Sequence, residues 1–435
     1  MMRRFLVLLA LLVSALAVPS LASGHVTLES ATPEVQSSAD LAPTQILLRF
    51  TEPVVVSPAA IHVLAADGTV LSGAARAAAG DRVVIAPVSG LVRGSAYTVR
   101  WRVSGQDGHS PAGVFTFGVG VPAPPPTDAV GAGAMTWKDD LARWLLFASL
   151  ALVIGPLALR LLVLQGPVPE TLEQRFDLIP TAAALAVINV GIVAFVLRAS
   201  NALQLPLPDL LYGDLQPFAE KTRFGIAFLA LTLGFGVVAT LLLFAWVADL
   251  RVLRVPALVL SVVLASGISL SGHQATLPNS SKASELADWL HLVSAAIWVG
   301  GLAALAFIVW PSAPALRARA FLGFARLAVV LVGVMVLAGA YLAFVRLPAV
   351  SDLWESDYGR LLLVKLAIVA LALSWGALHH FVISPRLEAG EQPRVRPSLV
   401  GETFVALAVL LAAAVLTNAT PPPAEPGSTV ARSAR

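Results

Sequence analysis

The sequence predicts an all-β sandwich fused to an all-α polytopic membrane domain of about eight transmembrane helices. Short segments of alternating polar and apolar residues are crowded into the first 120 positions. The rest of the chain is a series of apolar runs, each near the ~20 residues that a helix needs to cross a bilayer. Of the 435 residues 57% are hydrophobic and 13% charged, a composition too apolar for a soluble globular protein.

Charge and cysteine content exclude several classes of function. The formal net charge is only +3, and no cluster of lysine and arginine indicates nucleic-acid binding. The chain contains no cysteine, which excludes disulfides and thiolate metal sites. No Walker-type phosphate-binding motif is present, so direct use of ATP is not expected.

Residues 1–24 have the pattern of a secretory signal peptide. A basic start precedes an apolar stretch that ends in small residues at Ala22 and Gly24, as signal peptidase requires. Cleavage after Gly24 would make His25 the new N-terminus, outside the cytoplasm. An uncleaved anchor helix is the alternative.

Residues 25–120 have the alternation of short β-strands. In "AYTVRWRVS" Tyr97, Val99 and Trp101 share one face with Val103, and "QILLRF" gives a second such strand. Several short strands in about a hundred residues indicate a small sandwich or barrel. A Pro/Gly/Ala-rich linker is predicted at 121–139, the membrane domain at 140–418 and a disordered tail at 419–435.

Eight apolar runs are long enough to be transmembrane helices. They are residues 141–164, 178–199, 224–248, 256–273, 286–310, 324–346, 360–383 and 401–418. With the β domain outside, alternate connections face the cytoplasm and contain Arg175, Arg251, Arg254, Arg317, Arg319, Arg386, Arg394 and Arg396. This positive-inside bias agrees with the signal peptide.

A metal site is one interpretation of three residues in the β domain. A free N-terminal His25 would offer its α-amine and an imidazole nitrogen, which together chelate one ion. Asp107 and His109 are two apart, so on an extended segment both point to the same face. The resulting N,O donor set suits tetragonal Cu(II). By spacing alone, however, Asp-Gly-His is more typical of an ordinary turn.

Polar residues within the apolar runs mark a second candidate region. His273, Asp288 and His291 all fall in the outer third of the predicted membrane domain, and the last two share a helical face. Such groups are costly in a membrane, and this favours an ion path. The alternative is that Asp288 caps its helix and the imidazoles hydrogen-bond neighbouring helices. His379 is expected in the headgroup region, and Glu402 at the interface.

Residues 25–119 resemble the CopC family of periplasmic copper-binding proteins. The resemblance lies in His25, "SATP" at 30–33, "LRFTEPV" at 48–54, "LVRGSAYTVRWRVSGQDGH" at 91–109 and "GVFTFGV" at 113–119. It implies a cupredoxin-like sandwich with Cu(II) ligands at His25, Asp107 and His109. Because residues 25–120 contain no methionine, a methionine-rich Cu(I) site is not expected.

The membrane domain resembles the CopD family of inner-membrane copper-resistance proteins. The matching stretches are "ADWLHLVSAAIWVGGL" at 287–302, "FARLAVV" at 324–330 and "YGRLLLVKLAIVALALSWGA" at 358–377. The whole chain is thus similar to a CopC–CopD fusion, as in copper importers of the YcnJ type. The resemblance implies copper uptake across a bacterial plasma membrane, with periplasmic copper chaperones as expected partners and no enzymatic activity.

Three other functions are compatible with the same residues. Histidines on facing helices, such as His273 with His291 or His379, could bind haem in a membrane electron carrier that reduces copper. Copper sequestration without transport needs only the β domain. An N-terminal histidine also occurs in copper-dependent polysaccharide monooxygenases, but the eight predicted spans argue against such an enzyme.

Overall fold

The computed structural model describes nine segments of the chain. They are residues 26–65, 69–105, 110–123, 137–203, 219, 223–267, 282–347, 349–391 and 393–419. Four of the predicted site residues, His25, Asp107, His109 and His273, lie outside these segments.

Two four-stranded sheets form the N-terminal domain, with strand orders β1-β3-β7-β6 and β2-β10-β8-β5, and β4 pairs with β9 beside them. The strands are β1 Leu28–Thr32, β2 Ser37–Ala39, β3 Gln45–Phe50, β4 Val54–Val55, β5 Ile61–Leu64, β6 Arg76–Ala78, β7 Val83–Pro87, β8 Ser95–Arg102, β9 Ser104–Gly105 and β10 Ala112–Val119. Most neighbours are antiparallel, but β10 runs parallel to β2.

The predicted alternation places the core between the two sheets. Ile46, Leu48 and Phe50 of β3 are at most 1% exposed, and they share one hydrophobic cluster with Tyr97 and Val99 of β8. Alternate residues of a strand face opposite sides, so each sheet contributes one apolar face to this cluster. The predicted β-sandwich is confirmed.

Eight long helices follow in the described part of the chain. They are α1 Trp137–Ala158, α2 Glu170–Leu203, α3 Arg223–Val247, α4 Arg254–Leu264, α5 Lys282–Ala304, α6 Arg317–Arg346, α7 Asp357–Leu378 and α8 Arg396–Asn418. Single π-helical turns extend α1, α5 and α7.

Seven apolar helices in the described residues have the length and composition of membrane spans. The predicted fourth span, 256–273, coincides with α4, whose described helix ends at Leu264. Residues 268–281 of that region lie outside the described segments. Seven of the eight predicted runs are therefore confirmed as candidate spans, and the count of eight is approximate.

A buried cluster of charges lies where the ends of three helices meet. Two of its residues belong to α2, which begins before its predicted start at 178. Arg254 of α4 is 2% exposed and donates to Glu173 at 2.5 Å and to Asp177 at 2.6 Å, both on α2. Arg160, at the end of α1, pairs with the same Glu173. The prediction that Arg254 is a loop charge was wrong, because these carboxylates neutralise it inside the helix bundle.

Helices α1 and α5 cross with their backbones close together. A Cβ added at Gly300 would lie 1.8 Å from the carbonyl oxygen of Ala151, and one at Gly155 would lie 2.2 Å from Gly300. Only glycine permits this separation, as in other membrane helix pairs. Gly300 of the "WVGG" sequence therefore serves helix packing.

Gly300→Ala is accordingly expected to lower the free energy of unfolding by about 1–3 kcal/mol, the usual cost of overpacking. The matched control is Gly333→Ala on α6, where an added Cβ meets nothing within 4 Å. That change should be neutral or stabilising, since glycine within a helix costs about 0.5–1 kcal/mol relative to alanine. Thermal unfolding of the purified chain in detergent compares the two, and equal stability of both variants would contradict the close crossing.

Candidate functional site

Residues 51–55 pair with the two described chain segments that lead to the predicted copper ligands. Thr27, near the start of the described chain, pairs with Thr51 through two hydrogen bonds of 3.0 Å, one from each backbone N–H. On the other side Gly105 pairs with Val54 in the register of β4 with β9. Thr51 and Val54 can be no more than about 10 Å apart along the chain.

The described residues that precede and follow Asp107 and His109 lie close together. Val103 donates its backbone N–H to the carbonyl of Pro111 at 3.1 Å, and β8 then pairs with β10 from Arg102 and Ala112 onward. His25, Asp107 and His109 themselves lie outside the described residues. Their attachment points, however, meet at one edge of the sandwich, which also contains the half-buried Glu52.

His62 is the only histidine within the described part of the sandwich. It lies in β5, in register with Arg100 of β8, and is half-buried.

In the membrane domain, Asp288 belongs to a cluster of charged residues at the start of α5. Arg346, at the end of α6, lies 3.5 Å from Asp288 and donates to the hydroxyl of Tyr358 at 3.1 Å. Lys365 of α7 interacts electrostatically with Asp288 and Arg346. We call Asp288, His291, Arg346, Tyr358 and Lys365 the Asp288 cluster. It contains two basic side chains, Arg346 and Lys365, and one carboxylate.

His291 is held against α6 rather than against Asp288. Its Nδ1 lies 3.0 Å from the carbonyl oxygen of Met335, and its ring occupies the space above Gly339, where a Cβ would come within 3.2 Å of Cε1. A carbonyl can only accept, so Nδ1 carries the hydrogen and Nε2 keeps its lone pair. Metal-binding histidines are commonly oriented in this way.

The predicted trio of ion-path residues is only partly described. His273 lies outside the described residues, and within them no three histidine, aspartate or glutamate side chains come close enough to hold a metal ion. His291 makes the hydrogen bond to a neighbouring helix that the structural alternative expects. Asp288 does not cap its helix, because it is the seventh residue of α5 and pairs with Arg346. An ion path through them remains a prediction.

A second polar site involves His379 and Glu402, which the sequence predicts in the headgroup region and at the interface and which are both buried against neighbouring helices. His379 is 5% and Glu402 4% exposed. The reason is helix length: a π-helical turn continues α7 from His379 to Ile383, and α8 begins at Arg396 rather than at 401. Both side chains therefore lie inside the bundle.

Three side chains form a hydrogen-bonded chain, and Glu402 adjoins it as an ion-pair partner whose buried Oε2 has no hydrogen-bond partner among the described residues. Nε1 of Trp375 donates to Oγ of Ser398 at 2.9 Å, and this hydroxyl lies 2.7 Å from Nε2 of His379. Nδ1 of His379 lies 2.7 Å from Oε2 of Glu402. Both imidazole nitrogens are engaged, an arrangement that disfavours His379 as a haem ligand. The sequence signal for this site is a pair of i, i+4 spacings, Trp375 with His379 and Ser398 with Glu402.

An apolar cavity of about 380 Å³ borders this pair. Trp298, Leu302, Phe321 and Phe324 line it from α5 and α6, and His379 and Glu402 supply polar groups. Phe321 also contacts the imidazole edge-on, with centroids 5.6 Å apart. The two polar sites are at opposite ends of the bundle, since Lys365 and His379 are separated along α7 by roughly 20 Å at the usual helical rise.

Comparison with known proteins assigns families to most of the chain. Residues 28–120 match the CopC domain, residues 136–279 the copper resistance protein D-like N-terminal domain, and residues 318–416 copper resistance protein D. "Copper transport protein CutJ" of Bacillus subtilis (strain 168) is 25% identical over 426 residues, which cover 93% of this chain and 76% of that protein.

Other relatives match one domain each. "Copper resistance protein D" of Pseudomonas syringae pv. tomato is 37% identical over 183 residues, which cover 38% of this chain and 57% of that protein. Among solved structures, CopC from Methylosinus trichosporium OB3b is 30% identical and covers 22% of this chain and 93% of its own, with a TM-score of 0.20. PcoC from Escherichia coli, a methionine-rich copper resistance protein, is 23% identical, covers 22% and 99%, and has the same TM-score of 0.20.

These families are copper-binding and copper-transport proteins, and their two kinds of domain occur here in the order of the sandwich and the helical bundle. The chain therefore contains a CopC domain followed by regions that match both the N-terminal and the C-terminal copper resistance protein D models.

Proposed function

We propose that this protein captures Cu(II) outside the cell and passes copper through its membrane domain into the cytoplasm. The capture step is supported by one observation: Thr27 and Gly105, which lie close to the proposed ligands in the sequence, both pair with residues 51–55. Trimming of the leader then supplies the α-amine and imidazole of His25 at the edge where Asp107 and His109 are attached. These nitrogen and oxygen donors suit Cu(II).

The linker connects capture to transport. Residues 121–136, which precede α1, are rich in proline, glycine and alanine, a composition typical of tethers between domains. Tethering holds the captured ion at a high effective concentration near the membrane entrance, on the order of mM for a short flexible linker. Periplasmic copper chaperones are the proposed source of the ion.

The membrane path begins at the Asp288 cluster. His291 is the residue suited to receive copper, because its hydrogen bond to Met335 leaves Nε2 able to bind a metal. Asp288 is engaged by Arg346, which lowers the cost of a carboxylate in the membrane until a cation arrives. His273 is proposed as a further ligand.

His291→Ala is expected to abolish most copper uptake by cells while leaving the Cu(II) affinity of the protein unchanged, because the imidazole acts after capture. Uptake of copper by expressing cells and a Cu(II) titration of the purified protein measure the two steps. The matched control is His380→Ala, which removes an exposed histidine of α7. Uptake at the wild-type rate by His291→Ala would rule out its role in the path.

Absorption spectra of the purified chain test the electron-carrier alternative at the same time. A Soret band would indicate bound haem and favour copper reduction over copper transport.

A further inference from the structure

We propose that the pair His379–Glu402 is a proton-binding site of the membrane domain, and that its proton is exchanged for copper during transport. The exchange rests on the proposed transport function, whereas the proton site stands on the geometry of α7 and α8 alone. The two parts are therefore tested by separate measurements.

The hydrogen-bonded chain fixes where the protons are in one state of the site. The indole of Trp375 can only donate, so Ser398 accepts its hydrogen and turns its own toward Nε2 of His379. In the state we propose, Nε2 accepts this hydrogen and Nδ1 carries the ring hydrogen, 2.7 Å from Oε2 of Glu402, a buried atom with no hydrogen-bond partner among the described residues. This state contains a neutral imidazole and an ionised carboxylate.

In that state the site carries the negative charge of Glu402, and its ion-pair partner among the described residues is His379. Glu402 is 4% exposed, and the titratable residues that line the cavity are His379, His380 and Glu402 themselves. The residues that face the pair from α5 and α6 are aliphatic or aromatic. A net charge in such surroundings is costly.

Binding one proton removes the net charge. The proton adds to Nε2 of His379, the hydroxyl of Ser398 rotates to accept it, and an imidazolium–carboxylate pair results. No bond between heavy atoms changes, and release reverses the same step. Such a pair retains the 2.7 Å contact between Nδ1 and Oε2.

A proton fits this site better than a metal ion does. His379 and Glu402 offer only two donor residues, and both nitrogens of the ring are already engaged. The adjoining cavity of about 380 Å³ is large enough for water molecules and for a passing cation. A copper ion in the cavity would compensate the same negative charge, so its arrival favours release of the proton.

Infrared difference spectra of the full chain in lipid nanodiscs, recorded between acid and alkaline pH without copper, test the proton site. We expect the wild type to show a carboxyl and imidazole change that is lost in Glu402→Gln and altered in His379→Gln. Glu402→Asp, which keeps a carboxyl group, should restore a shifted band. Glu388→Gln, a change of an exposed carboxylate on the extension of α7, is the matched control. Identical spectra for Glu402→Gln and the wild type would overturn the proton site.

Copper uptake by proteoliposomes with and without a pH gradient tests the exchange. We expect the gradient to accelerate uptake by the wild type and by Glu388→Gln. Glu402→Gln and His379→Gln should lose this acceleration but keep uptake down a copper gradient. An unchanged response to the pH gradient in Glu402→Gln would overturn the exchange. A wild type that moves no copper would instead refute the proposed transport, and the infrared result would still decide whether the pair binds a proton.

Discussion

His25→Ala is expected to weaken Cu(II) binding by the exported protein by more than about 100-fold. Loss of a supporting residue around a metal ligand already costs about 10–100-fold, and this change removes the imidazole of a ligand residue outright. It also breaks the chelate ring that the imidazole forms with the α-amine. A Cu(II) titration of the mature protein, with copper electron paramagnetic resonance to report the nitrogen ligands, measures the effect.

Two further variants separate the amine from the imidazole. One extra residue before His25 keeps the imidazole but moves the α-amine away, and it should weaken binding to a similar extent. His62→Ala removes a half-buried histidine of β5 and should leave the affinity unchanged. Wild-type affinity in the extended protein, or a mature N-terminus other than His25 by mass spectrometry, would refute the proposed ligand set.

Glu173→Ala is expected to lower the free energy of unfolding by about 3–5 kcal/mol, the usual cost of removing one partner from a buried ion pair. Glu173 is 2% exposed and lies between Arg160 of the α1 extension and Arg254 of α4. Its removal leaves Asp177 as the one carboxylate paired with Arg254 and takes from Arg160 its partner in this cluster. The measurement is thermal or denaturant unfolding of the purified chain in detergent.

Glu170→Ala is the matched control one turn earlier on the same helix. The side chain of Glu170 is 62% exposed and pairs with Arg251 at 2.7 Å. Exposed ion pairs contribute about 0–1 kcal/mol, so this variant should unfold close to the wild type. If Glu170→Ala and Glu173→Ala lower the free energy of unfolding by similar amounts, burial does not determine how much these ion pairs stabilise the protein.

The buried ion pairs remove Arg254 from the positive charges on which the predicted topology was based. Arg254 was counted among the cytoplasmic arginines, yet it is paired twice within the bundle. Arg251 remains half-exposed at the same end, with Glu170 and Asp249 as partners. The orientation of the chain in the membrane is therefore a proposal that depends on the remaining arginines and on the leader.

Local patterns in the sequence were sufficient to predict the two kinds of domain. Alternation in "QILLRF" correctly identified Ile46, Leu48 and Phe50 as core residues, because a strand exposes alternate side chains to opposite sides. The length of the apolar runs identified seven candidate spans, because the thickness of the bilayer sets the length of a helix that crosses it. The ligand set His25, Asp107 and His109 stays a prediction.

The pairing of distant charges was decided only by the tertiary structure. Glu173 and Arg254 are 81 positions apart, and His379 meets Glu402 across two helices. Periodicity reports which face of a helix is apolar, but it does not report which helix lies opposite. Which helices become neighbours depends on packing, such as the close crossing at Gly155 and Gly300. Packing therefore buries pairs of residues that look interfacial in the sequence.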